Sequence, residues 1–206
     1  MILIISGTNR PHSKTLKIAK CYQQLLNRKS IENEIFSLSD LPATILETDL
    51  YGKRSAAFEP IQKKVSEADM FIFVAPEYNG SIPGALKLFI DCCSFPISFY
   101  HKKVALVGLS SGRYGNLRGI DHLTGICHYL RMHVLPLKIF LPNVQQELNE
   151  NGELFKEDTL QFINEQIEEI ARFWFAFWEH LQITPSLYTH CPLPLSGGTG
   201  KLKRCR

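Results

Sequence analysis

The chain has 206 residues, of which 45% are hydrophobic and 21% are charged, and this average globular composition excludes a largely disordered protein. The net charge is +3, but four of the 23 basic residues lie in the last six positions, so the remainder has 19 basic and 20 acidic residues. A nearly neutral body is atypical of a nucleic-acid binder, whose basic residues line the folded face. No unbroken apolar run exceeds six residues, whereas a membrane span needs about 20.

The cysteines are interpreted as thiols. Met1 is followed by four aliphatic residues and then by polar ones, a pattern without the basic region and longer apolar core of a secretory signal. The six cysteines are therefore expected to stay reduced in the cytoplasm. The vicinal pair Cys92 and Cys93 lies in an apolar segment, which favours buried thiols over redox chemistry. Neither C-x-x-C nor H-E-x-x-H occurs, so no metal site is predicted.

Five segments predict β-strands, namely residues 2–5, 31–36, 70–74, 104–109 and 134–141. The first, third and fourth are apolar almost throughout, as expected for strands that are buried on both faces of a parallel sheet. The second is half polar and the fifth contains Pro136, and both features are tolerated at a sheet edge. This distribution predicts a five-stranded parallel sheet in the order 2-1-3-4-5, an α/β three-layer sandwich of the flavodoxin-like type.

Helical patterns separate the strands. Apolar residues recur at helical spacing after the first and fourth strands, and residues 85–93 are apolar nearly all round. A long last helix is expected after Asp158 as its N-cap. Residues 40–58 show no regular pattern. We therefore expect one domain over residues 1–183, followed by a basic tail of residues 184–206 that is rich in Pro and Gly.

Three unusual loops follow the first, third and fourth strands, at the edge of the sheet where an open α/β fold binds its ligand. The first loop, residues 6–15, leads into a helix whose N-terminus is a ready site for an anion. Hydroxyl and basic side chains there favour a phosphate, although Ser13 or Thr15 could serve only as a helix cap. The spacing matches neither a P-loop nor the G-x-G-x-x-G fingerprint. The candidate ligands of the phosphate are Thr8, Arg10, Ser13, Lys14 and Thr15.

The second loop, residues 76–84, contains two prolines and two glycines, which indicate a fixed backbone path that could hydrogen-bond a flat heterocycle. The third loop, residues 109–116, has small residues that let the backbone approach a ligand. An ordinary turn and a flexible surface loop are the simpler alternatives. The candidate binding residues of these two loops are Pro76, Glu77, Tyr78, Asn79, Gly80, Ser110, Ser111 and Gly112.

These motifs resemble the NADPH-dependent FMN reductases, a flavodoxin-like group that includes quinone, azo-dye and chromate reductases. Residues 7–15 are similar to the family's G-S-x-R-x-x-S-x-N/T, and residues 77–87 match E-Y-N-G-S-x-P-G-x-L-K. Residues 108–118 are similar to G-x-S-x-G-x-x-G-G-x-R, with Asn116 in place of a second glycine. The resemblance covers about residues 1–180, and the tail lies outside it.

The resemblance implies a flavoenzyme with non-covalent FMN that transfers hydride from NADPH or NADH through flavin N5 to a small acceptor. Thr8, Arg10, Ser13 and Thr15 would hold the FMN phosphate, and the backbone of residues 76–80 would contact the ring. Residues 110–112 would close the other side of that ring. The chemistry belongs to the flavin, so no catalytic side chain is named.

Further expectations also follow from this resemblance. The group commonly forms homodimers or homotetramers. Arg10, Arg113 and Arg118 are candidates to meet a 2′-phosphate of NADPH. Two alternatives stay open: a flavodoxin-type electron carrier without its own NAD(P)H oxidation, and a nucleotide-sensing module whose basic tail recruits a partner.

Overall fold

The computed structural model describes residues 1–183, with side chains through Phe175, so the predicted tail of residues 184–206 lies outside the described residues. The strands are β1 (Ile2–Ser6), β2 (Asn33–Ser37), β3 (Met70–Pro76), β4 (Lys103–Leu109), β5 (His133–Val134) and β6 (Ile139–Leu141). The helices are α1 (Lys14–Arg28), α2 (Ile45–Thr48), α3 (Glu59–Glu67), α4 (Gly84–Cys92), α5 (Leu117–Tyr129) and α6 (Glu157–Ile183).

The sheet has the predicted order β2-β1-β3-β4-β5, and the paired strands run parallel. β1, β3 and the apolar part of β4 are buried, because helices cover both faces of the sheet. This confirms the prediction, from apolar content, of which strands are central. The chain is an α/β three-layer sandwich of the flavodoxin-like type.

Alternate residues of the central strands enter two separate cores. On one face Leu3 and Phe71 pack with side chains of α3, α4 and α5. On the other face Ile4 and Ile72 pack with α1 and α6. Because successive side chains of a strand point to opposite faces, the same short strands hold both helical layers in place.

The prediction for the fifth strand of the sheet was wrong in one respect. Residues 134–141 were expected to form a single strand, but two short strands, β5 and β6, both pair with β4. Pro136 has no N–H for the ladder, and the backbone departs from the sheet around it. The buried Gln166 of α6 donates to the carbonyls of Leu106 and Leu137, at 3.2 and 2.8 Å, and accepts the Tyr22 hydroxyl at 2.7 Å. Its side chain therefore replaces the missing strand contact.

Two boundaries also differ from expectation. α6 begins at Glu157, so Asp158 lies in the first helical turn and not at the N-cap. An acidic residue is favourable in either place, because both face the positive end of the helix dipole. Residues 40–58 are not wholly irregular, since they contain the single turn of α2 and the end of a 3₁₀ turn at Leu38–Asp40.

The described cysteines are free thiols. Cys92 and Cys93 are buried, as predicted, and burial raises the pKa of Cys92 to about 11. At neutral pH such a thiol stays protonated and is a poor nucleophile. Among the helices of residues 1–183, none combines the length and the apolar character that crossing a bilayer requires.

Candidate functional site

The three loops meet in one cleft of about 430 Å³ at the carboxyl ends of β1, β3 and β4. This is the point where the chain order of the sheet reverses, and it is the position at which open α/β sheets bind ligands. The cleft is lined by Thr8, Arg10, Pro11, His12, Ser13, Lys14, Thr15, Pro76, Glu77, Tyr78, Leu109, Ser110, Ser111 and Val144.

The first loop ends at the N-terminus of α1. Ser13 caps this helix, and its hydroxyl accepts the N–H of Leu16 at 3.3 Å. No acidic side chain lies in the first turn, and the N–H groups of Lys14 and Thr15 have no hydrogen-bond partner among the described residues. The side chains of Arg10 and Lys14 are exposed and pair with no carboxylate within the described part of the chain. The loop therefore presents unused positive charge and unused donors to the cleft.

Thr8 links the first loop to the second. Its side chain is buried, and its hydroxyl accepts the N–H of Arg10 at 3.2 Å and lies 2.9 Å from the hydroxyl of Tyr78. Thr15, the second residue of α1, is also buried and lines the cleft. Thr8 thus fixes the position of the loop from which Arg10 projects.

The second loop begins where β3 ends. The N–H of Glu77 donates to the carbonyl of Leu109 at 2.8 Å, which extends the pairing of β3 with β4. Tyr78 and Ser81 then exchange two backbone hydrogen bonds around Asn79 and Gly80. Asn79 and Gly80 have φ of 52° and 75°, the left-handed turn predicted from this dipeptide. Their N–H groups make no hydrogen bond to any described residue.

The third loop directs its polar groups inward. The Ser110 hydroxyl donates to the carbonyl of Gly112 at 2.8 Å and accepts the N–H of Gly115 at 2.9 Å. Asn116 has a φ of 68°, and its side-chain amide donates to the carbonyl of Ala75 at 2.9 Å. The asparagine that departs from the family pattern thus ties this loop to the end of β3. Ser110 shapes the cleft, but its hydroxyl already makes two hydrogen bonds within the third loop.

Ten of the thirteen predicted residues line the cleft, and three do not. Gly80 lines a neighbouring concavity of about 470 Å³, here called the side pocket. Asn79 and Gly112 are exposed and line neither space. The side pocket shares Glu77 with the cleft and is otherwise lined by Gly80, Tyr114, Leu117 and Arg118.

The candidate residues did not include Pro11, His12, Leu109 and Val144 of the cleft, nor the apolar wall of the side pocket. Val144 follows β6, and its N–H donates to the carbonyl of Ser110 at 3.0 Å. The expectation that loops gather at the carboxyl ends of strands applies to the fifth position too, and would have pointed to this segment. Tyr114 and Leu117 carried no such signal, because exposed apolar residues in a loop are common.

The chain is similar to a family of known proteins. The family model described as NADPH-dependent FMN reductase matches residues 1–146. The chain is 34% identical over 134 residues to an NAD(P)H:quinone oxidoreductase of Solanum tuberosum, covering 64% of this chain and 69% of that protein. It is 25% identical over 183 residues to an NADPH azoreductase of Bacillus sp. (strain OY1-2), covering 86% and 94% of the two chains.

The fold also matches a solved structure. This is FerB, described as a flavoenzyme NAD(P)H:(acceptor) oxidoreductase from Paracoccus denitrificans, with a TM-score of 0.68 and 19% identity. The match covers 82% of this chain and 93% of that one. At this identity the likeness shows the shared fold alone.

Proposed function

Because the chain belongs to the family of NADPH-dependent FMN reductases, we propose that its cleft holds FMN and that electrons pass there from NAD(P)H to a small acceptor. The protein is an NAD(P)H-dependent oxidoreductase that uses FMN. The observation that supports the location is the meeting of three loops in one cleft, one of them at a helix N-terminus with unpaired basic groups.

The first loop fits the phosphate of FMN. A phosphate dianion needs donors and positive charge, and the loop supplies two unused N–H groups at the start of α1 and the side chains of Arg10 and Lys14. The hydroxyls of Thr8, Ser13 and Thr15 line the same end. The absence of acidic residues from the first turn of α1 leaves this attraction unopposed at that point.

The second and third loops fit the ring. The volume of the cleft, about 430 Å³, lies within the range of small-molecule sites. From the second loop, Pro76, Glu77 and Tyr78 line the cleft, whereas Asn79 and Gly80 lie outside it. Ser110 and Ser111 of the third loop close the opposite side.

Bound FMN would supply the redox chemistry, the transfer of electrons from the nicotinamide to an acceptor. The chain's own contribution is to bind and to orient. Arg10 and Lys14 anchor the phosphate, the Thr8–Tyr78 contact keeps the first two loops in register, and the inward bonds of Ser110 hold the third loop in place. We assign no side chain the role of acid or base.

The phosphate site is tested by comparing the affinities for FMN and for riboflavin, which lacks the phosphate. In Arg10→Ala we expect FMN affinity to fall about tenfold, which is the lower end for a charge-assisted hydrogen bond, with riboflavin affinity unchanged. Lys17→Ala is the control, because Lys17 lies one turn further along α1 and lines a different groove. Equal losses for both ligands, or no loss for either, would overturn this assignment.

The electron-carrier alternative is tested by mixing the FMN-loaded protein with NADPH anaerobically, without a partner. A reductase bleaches the flavin absorbance under these conditions, whereas a carrier of the flavodoxin type leaves it unchanged. The near-neutral body of the chain favours the reductase, since carriers that dock on partners are usually strongly acidic.

We also propose that copies of this chain associate through the outer face of α4 and α5. An apolar groove of about 590 Å³ lies there, and Phe95 and Tyr129 on its rim are 67% and 81% exposed. Exposed apolar surface of this kind marks an association site. Light scattering should give a dimer or tetramer, and Tyr129→Asp should shift the mass toward the monomer.

The proposal also covers the cellular location of the protein. The protonated, buried thiols of Cys92 and Cys93 suit a reducing compartment, which supports a cytoplasmic location.

We propose that residues 1–183 form the FMN-binding domain and that the tail of residues 184–206 is dispensable for it. Truncation after Ile183 should leave FMN affinity and NADPH oxidation unchanged, whereas loss of either would assign the tail to the site.

A further inference from the structure

The proposed FMN site does not include the side pocket. It adjoins the cleft, because Glu77 lines both spaces, so a ligand in the side pocket lies next to a ligand in the cleft. Its volume of about 470 Å³ is sufficient for a small aromatic molecule. A reductase of this kind needs such a neighbouring space for the compound that it reduces.

The wall of the side pocket is apolar and rigidly held. Tyr114 and Leu117 are 67% and 48% exposed, and the N–H of Leu117 donates to the carbonyl of Tyr114 at 3.1 Å, closing a turn. Between them, Gly115 donates to Ser110 and Asn116 donates to Ala75. Exposed apolar groups on such a fixed frame are preorganised to contact a ligand.

Among the described residues, Arg118 is the one basic side chain that lines this pocket. It is exposed and forms no ion pair with any carboxylate in the part of the chain that the structure describes. Glu77 lies on the side shared with the cleft, so a negative group is attracted toward Arg118 and away from Glu77. The pocket is therefore polarised: a flat ligand fits with its anionic end at Arg118.

We propose that the side pocket is the acceptor site and that Arg118 makes the enzyme prefer quinones that carry an anionic substituent. The inference rests on the proposed function. The ring of the quinone lies against Tyr114 and Leu117, and the substituent bonds to the guanidinium. The quinone gains two electrons and one proton, as hydride originating from NAD(P)H, and a second proton from water, giving hydroquinone and NAD(P)⁺.

The 2′-phosphate of NADPH is the other source of negative charge that Arg118 could meet. That phosphate is separated from the reacting nicotinamide by two riboses and a pyrophosphate, whereas the side pocket shares a wall with the cleft. A substituent on the acceptor ring itself therefore reaches Arg118 more directly.

The test compares a naphthoquinone sulfonate with unsubstituted naphthoquinone, using the FMN-loaded protein and NADPH. In Arg118→Met we expect kcat/KM for the sulfonate to fall about tenfold, with the value for the neutral quinone and the KM for NADPH unchanged. Arg28→Met is the control, because Arg28 is exposed in the last turn of α1 and lines neither space. Calorimetric binding of naphthalene sulfonate, which is not reduced, should fall by the same factor in Arg118→Met only.

Three outcomes would overturn the inference. Equal losses for both quinones would make Arg118 a structural residue. A raised KM for NADPH, with NADH unaffected, would assign Arg118 to the nucleotide. Unchanged kinetics with both quinones would remove it from the site. A wild-type protein that oxidises NADPH with neither quinone would instead contradict the proposed function.

Discussion

The first and third loops line the same cleft but contribute to it in opposite ways. The first loop leaves its charged groups and helix N–H groups unused, whereas the third bonds its polar groups to itself and to β3. Changes in the first loop should therefore alter what the cleft binds, and changes in the third should alter whether the cleft keeps its shape. Sequence alone shows polar, glycine-containing loops in both places.

The largest effect is expected from Gly108→Ala, at the base of the third loop. A Cβ at this position would lie 2.4 Å from the backbone oxygen of Gly115 and 2.8 Å from Ile120. Urea denaturation should show a loss of about 3 kcal/mol in the free energy of unfolding. Gly125→Ala on α5 is the control, because no atom lies within 4 Å of its added Cβ. If Gly108→Ala were as stable as this control, the tight fit of the third loop would be disproved.

Asp49→Asn extends the comparison to another loop that bonds internally, within residues 40–58. Burial opposes ionisation of Asp49, but hydrogen bonds from Thr48 and from the N–H and hydroxyl of Ser55 outweigh it, so the pKa of Asp49 lies below its ordinary 3.8. We expect the substitution to cost about 2 kcal/mol at pH 7.

The stabilisation by Asp49 is present above the ordinary carboxyl pKa and is lost as the pH falls through the lowered pKa of the folded state. The difference between wild type and Asp49→Asn, measured by urea denaturation, should therefore shrink on acidification below about pH 4. A difference that stays constant from pH 7 to pH 3 would show that the charge of Asp49 contributes nothing.

Ser110→Ala should distinguish the structural role of the third loop from the ligand-binding role of the first. Removing the hydroxyl leaves the N–H of Gly115 without its partner, at a cost of about 1.5 kcal/mol in unfolding free energy. FMN and riboflavin should lose affinity equally, because the shape of the cleft changes and its phosphate end does not. A selective loss of FMN affinity would contradict the assignment of Ser110 to the frame.

The smallest effect is expected from Tyr78→Phe, which removes the hydroxyl contact between the first and second loops. Thr8 keeps the bond from the N–H of Arg10, so the loss in stability should be about 0.5–1 kcal/mol. Thermal denaturation with and without FMN would measure it. A larger loss in the FMN-bound protein than in the free protein would show that this contact also orients the ligand.

The sheet order could be predicted because it depends on composition. Strands that are buried on both faces must be apolar, and only β1, β3 and β4 are apolar almost throughout. The second and fifth strands were therefore predicted to lie at the edges of the sheet. The break in the fifth strand occurs at Pro136, which is visible in the sequence. The side chain that bonds the gap could not be predicted, because Gln166 of α6 is distant from Leu137 in the sequence.

The cleft could be predicted from three loops placed at one end of the sheet, and ten of thirteen residues lie there. The direction of each side chain could not, because a serine such as Ser110 can face a ligand or its own loop with equal ease. The turn at Asn79 and Gly80 was predictable in conformation. Neither residue lines the cleft, however.

The divided fifth strand also bears on self-association through the sheet. A long, regular outer strand offers unpaired backbone groups to which another chain can add in cross-β fashion. Here that border consists of pieces of two and three residues with a proline between them, and one carbonyl of the gap is already bonded by a helix side chain. On this side the molecule is protected against amyloid-like growth, and replacing Pro136 would weaken that protection.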